Sequence, residues 1–142
     1  MRSKTIIVLL TLIFACTCEA ASNVSTPQTD PSIQTFWAKF KLAVTKSDRA
    51  AVASMTQFPV EMPYGFPPIR TKAQLIKRYR EVFSVQADAV KCFAEAAPKI
   101  DDRNKTKFEV GCKDRAGNEV VVYGFGKKRG VWKLISLDNI NE

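Results

Sequence analysis

Thr106, Phe108, Val110 and Cys112 alternate with Lys105, Lys107 and Glu109, which is the period of a strand with one covered face. Two further runs rich in β-branched and aromatic residues follow, EVVVYGFGKK and VWKLISLDNI. Turn residues introduce each of them: Ala116, Gly117 and Asn118, then Lys127, Lys128, Arg129 and Gly130. Residues 105–139 therefore read as three successive antiparallel strands. The second and third carry apolar residues on both faces. Val121, Tyr123 and Phe125 oppose Val120 and Val122, and Trp132 and Leu134 alternate with Val131, Ile135 and Leu137. Such a sheet curves around a core, and its surplus apolar face should meet a loop, a ligand or a second molecule.

Upstream the apolar period lengthens to that of a helix. Asp30 and Pro31 form an N-cap followed by a first-turn proline, and Ile33, Phe36, Trp37, Phe40, Ala43 and Val44 then make one stripe. Ser47 and Asp48 end this helix and cap a short second one with Ala51, Val52 and Met55 inward. Pro59, Pro63, Pro67 and Pro68 then exclude a helix and disfavour a central strand. That stretch is expected as an edge strand followed by an extended loop carrying Tyr64, Gly65 and Phe66. Thr71 and Gln74 fit a capping box opening a helix with Leu75, Ile76, Tyr79, Val82 and Phe83 on one face. Residues 85–97 repeat the helical period through Val85, Ala89, Cys92, Phe93 and Ala96, with Pro98 as the stop. Asp101 and Asp102 suggest a hairpin turn. The predicted class is α+β, a curved antiparallel sheet packed by N-terminal helices.

The length of 142 residues suits one domain behind a leader. Arg2 and Lys4, the apolar run over residues 6–15, and small Ala20 have the order of a secretory signal peptide. The expected organisation is a signal peptide over 1–20, a polar tether over 21–30 and a single domain over 31–142, in a periplasmic or secreted protein. Lipidation at Cys16 is an alternative, with bulky Phe14 against it. Removing the leader leaves Cys92 and Cys112, both on inward-facing positions, as an expected disulfide. Histidine is absent, which excludes the usual triad base and the commonest zinc ligand. No metal site and no cofactor motif is found. The formal charge of +8 falls to about +7 without Arg2, Lys4 and Glu19. Export argues against nucleic acid as its partner, leaving solubility first and an anionic envelope surface or acidic partner second.

The helix FWAKFKLAV, the passage from Asp48 to Phe58, Pro59 and Val60, and the closing Gly130, Val131, Trp132, Lys133 and Leu134 carry a resemblance. In this order of elements the chain resembles the nuclear transport factor-like superfamily, the cystatin-like α+β roll, and within it small exported bacterial members of unassigned role. The resemblance implies a cone-shaped cavity between sheet and helices. It covers ketosteroid isomerases and polyketide cyclases as well as members that only bind. The isomerases need a carboxylate base beside a tyrosine in an apolar cavity. Here Asp48, Asp88, Asp101, Asp102 and Asp114 fall in turns or on outward positions, so no catalytic residue is carried over.

The leading expectation is a non-catalytic binding or interaction module. Trp37, Tyr64, Tyr79, Tyr123 and Trp132 would line an apolar pocket, roofed by Tyr64 and Phe66, while the convex face supports a homodimer. One alternative is an enzyme using Tyr79 with Glu81 or Glu61. Another is an inhibitor or immunity-type protein docking through its basic helix and the turn Lys127, Lys128, Arg129.

Overall fold

Helix α1 (Pro31–Thr45) starts where the sequence places its cap: the Asp30 side chain accepts from Ser32 N–H at 2.8 Å, with Pro31 in the first turn. The computed structural model describes residues 30–62, 66–114 and 116–140. The expected leader, the tether as far as residue 29, and Tyr64 lie outside the described residues. The α1 stripe of Ile33, Trp37, Phe40, Ala43 and Val44 is buried. Asp48 caps α2 (Arg49–Ser54) by accepting from Ala51 N–H at 2.9 Å.

The edge strand β1 (Thr56–Glu61) follows, then the proline loop and α3 (Lys72–Lys77). Thr71 Oγ1 accepts from Gln74 N–H at 3.2 Å, while Gln74 Oε1 accepts from Arg70 N–H at 2.6 Å. This is a capping box whose return bond reaches one residue further upstream. A π-helical turn, Glu81–Val85, buries Val82 and Phe83. The helix expected from residue 85 begins only at α4 (Ala89–Glu95), and Val85 is 63% exposed rather than inward. Asp88 is the physical reason. Its carboxylate accepts from Lys91 N–H at 3.0 Å and restarts the helix there.

The sheet has five strands in the order β1-β5-β4-β3-β2, adding β2 (Lys99–Ile100), β3 (Lys107–Lys113), β4 (Glu119–Lys128) and β5 (Val131–Asn139). It is open, with β1 parallel to β5 and the other pairs antiparallel. The two-residue β2 was not among the expected strands, being too short to carry a period. The hairpin at Asp101 and Asp102 joins it to β3.

A register shift between Gly124 and Phe125 revises the two-faced reading of β5. Phe125 pairs with Leu134, but Gly124 pairs with Ser136 and Tyr123 with Leu137. The extra residue is Ile135, so Trp132, Leu134 and Leu137 all share the helix-covered face. Ile135 turns outward and covers Gly126, where an added Cβ would lie 2.7 Å from Ile135 Cδ1. Of the residues expected on the outer face, Leu137 thereby returns to the core, while Ile135 stays outward. Cys92 of α4 and Cys112 of β3 are joined by a disulfide with Cα atoms 5.6 Å apart.

Candidate functional site

The inner face of β4 presents Val121, Tyr123 and Phe125 to the helices. Tyr123 is fully buried, and its hydroxyl donates to Val82 O at 2.8 Å, the carbonyl offered by the π-helical turn. Its ring stacks on Phe83 at 5.5 Å and meets the edge of Phe93 at 5.0 Å. Tyr79 donates to Val44 O at 3.3 Å and packs on Phe83 at 4.8 Å, with the Arg49 guanidinium 5.6 Å from its ring centre. Burial pushes both phenols above the ordinary tyrosine range, Tyr123 very far. At Tyr79, Arg49 opposes that rise and Asp48 adds to it.

Trp37 lies against Phe93 at 4.8 Å and Phe125 at 5.8 Å. Trp132 meets Phe108 at 5.2 Å, and Phe108 stacks on Phe125 at 4.6 Å. The structure thus joins Trp37, Tyr79, Tyr123 and Trp132 in one aromatic assembly, with buried Phe66 in the same core. In that assembly Phe40, Phe83 and Phe93 occupy the positions between helices and sheet. A hollow of about 280 Å³ lies at the surface beside Lys99, Ile100, Asp102, Arg103 and Glu109. Another, of about 300 Å³, lies between α1 and α4 along Ala38, Lys41, Leu42, Thr45, Phe93 and Ala94. Neither is lined by the two tryptophans or by Tyr79 and Tyr123.

The carboxylates lie elsewhere. Glu81 is held by a two-pronged contact from Arg78, at 2.6 Å and 2.8 Å, and that bond keeps its carboxyl below the ordinary range. Glu61 is exposed on the edge strand. Among the described residues the buried polar side chains are Thr56 and Asn139, which bond to Val52 O and Gln86 Oε1. Asp138 Oδ1 is buried without a hydrogen-bond partner, but Asp138 pairs with Val122 on the outer side of the sheet. Among the described residues no group of three or more His, Cys, Asp or Glu side chains is placed to hold a metal ion. No helix among them is long and apolar enough to cross a membrane.

Sequence reasoning missed the role of Arg78, one of the cations of the basic helix. Besides gripping Glu81, its Nη1 donates to Pro67 O at 2.7 Å and so fastens the proline loop to the helix. The spacing of Arg78 and Glu81 was the available signal for half of this. The carbonyl of Pro67 offered none.

No protein-family model matches this chain, and no curated protein does. Solved structures do resemble it in fold. A protein of the NTF2-like family from Streptomyces avermitilis, whose name assigns it as a dehydratase, is 16% identical with a TM-score of 0.47 over 80% of this chain and 96% of its own. A ketosteroid isomerase-like protein from Erwinia carotovora atroseptica is 16% identical with a TM-score of 0.44, covering 81% of this chain and 98% of its own. A protein of unknown function with a cystatin-like fold from Nostoc punctiforme is 14% identical with a TM-score of 0.44, covering 77% and 87%. The first of these is named as NTF2-like and the third as having a cystatin-like fold.

Proposed function

We propose that this chain is a non-catalytic, exported interaction module that works through its surface. The observation carrying this reading is the state of its two buried phenols. Tyr79 and Tyr123 are the polar groups a cavity would offer a ligand, and each hydroxyl donates instead to a backbone carbonyl. The rings around them are in contact with one another. No carboxylate is buried beside them among the described residues, so a proton-transferring pair of the isomerase kind has no carboxylate base there.

Of the two partner classes expected, this packing favours a protein or surface over a small apolar ligand. A ligand touching Trp37, Tyr79, Tyr123 and Trp132 would have to displace Phe40, Phe83 or Phe93. The outer sheet face, with Ile135 over Gly126 and half-buried Val122 beside it, is the surface proposed for a second copy. Native mass spectrometry of protein purified from its own host tests the reading. The expected result is the mass of the chain, alone or assembled with protein. A stoichiometric small molecule that survives purification would overturn it.

A further inference from the structure

Two loops and a helix start meet at one end of the sheet. Lys107 at the start of β3 pairs with Gly126, and Lys127 N–H donates to Thr106 O at 2.9 Å. The β2–β3 loop therefore lies beside the β4–β5 turn. That turn is tight: Lys128 pairs with Val131, and Arg129 and Gly130 both have positive φ, at 49° and 80°. Trp132 Nε1 donates to Ser32 Oγ at 2.9 Å, which brings the first turn of α1 to the same end.

The side chains gathered there are mostly cationic. Arg103, Lys105, Lys107, Lys127, Lys128 and Arg129 are all exposed. Of the carboxylates nearby, Asp30 bonds with Ser32 N–H, Asp101 with Arg103 N–H and Asp102 with Lys105 at 3.4 Å, and exposed Glu109 lies beside Arg103 at the same hollow. Among the described residues Lys107, Lys128 and Arg129 enter no ion pair, and Lys127 lies over the Trp132 ring at 5.5 Å. Val131, 56% exposed, stands directly after the turn among these charges. Cations around a protruding apolar side chain suit a headgroup layer, where the charges meet phosphates and the apolar group reaches past them.

We propose that this end of the sheet docks on anionic lipid headgroups, with Lys105, Lys107, Lys127, Lys128 and Arg129 as the charges and Val131 as the apolar contact. The proposal deepens the interaction-module reading and rests on it. Its failure would remove this surface while leaving the mass-spectrometric test of the filled interior untouched.

The experiment is co-sedimentation of the full chain with vesicles of phosphatidylglycerol in phosphatidylcholine, and with phosphatidylcholine alone. Lys107→Gln, Lys128→Gln and Arg129→Asn are combined in one variant; asparagine suits the left-handed backbone at position 129. These side chains are exposed, and an unchanged thermal unfolding curve verifies that the variant folds. Partition onto the anionic vesicles should fall by on the order of a hundredfold, while partition onto neutral vesicles stays the same. High salt should abolish the difference between parent and variant. Val131→Thr should weaken the binding that persists in salt several-fold. The proposal is overturned if the triple variant binds anionic vesicles as well as the parent. It is equally overturned if the parent ignores vesicle charge.

Discussion

Trp132 and Ser32 stand 100 residues apart in the chain and are joined at 2.9 Å, indole Nε1–H to hydroxyl oxygen. The bond ties the start of the last strand to the first turn of the first helix. It closes the fold across its two ends. Ser32→Ala would leave the part-buried indole N–H without this acceptor. A loss of about 1 kcal/mol is expected in urea unfolding, the usual cost of one such bond. A variant as stable as the parent would mean that water replaces the serine without cost.

The disulfide between Cys92 and Cys112 closes a loop with a sequence separation of 20. Confining that loop in the unfolded chain is worth about 3 kcal/mol in the chain-entropy picture. Cys112→Ser should therefore lower the melting temperature by several degrees, and the unreduced parent should yield no free thiol from this pair on titration. Two reactive thiols in the native protein would contradict the bridge.

This bridge was legible because each cysteine sits inside a clear period, one helical and one alternating, and both periods point inward. The α1 stripe and the caps at Asp30, Asp48 and Thr71 were legible for the same reason: the signal is local. Ile135 and Leu137 were not. A bulge moves one residue to the other face, and nothing in the alternation of VWKLISL marks where the extra residue lies. Val85 misled because Asp88 restarts the helix three residues later. Trp37, Tyr79, Tyr123 and Trp132 were legible as inward-facing aromatics, and they pack together in the core. Their chemistry was not legible, since the acceptors for Tyr79 and Tyr123 are backbone carbonyls, which every residue possesses.

Trp37 touches Phe40, Phe93 and Phe125, linking α1 to α4 and the sheet. Truncating a buried aromatic costs about 3–5 kcal/mol through lost transfer energy and the cavity left behind. That is a large part of the stability of a small domain. Trp37→Ala should give little soluble protein, and Trp37→Phe should recover much of it. Chemical denaturation of whatever remains soluble provides the measure, and an unchanged midpoint for Trp37→Ala would refute the packing.

Tyr123 supplies a prediction in the alkaline range. Its pKa in the folded protein is raised above the ordinary 10.0 because burial penalises the phenolate. Below pH 10 the phenol is neutral in both folded and unfolded chains, so stability there does not depend on its ionisation. Above pH 10 the unfolded chain loses the proton and the folded one retains it. Stability must then fall as pH rises toward the folded value. Tyr79, also raised, acts in the same direction. Tyr123→Phe separates this effect from the titration of lysines. At neutral pH the variant should be less stable by about 1 kcal/mol, since Val82 O loses its donor. Above pH 10 the gap should narrow and then reverse, because phenylalanine has no proton to lose. Urea unfolding at a series of pH values gives both curves. If they run parallel above pH 10, Tyr123 is not held neutral by its burial, and the closed ring cluster behind the proposed function would be wrong at its centre.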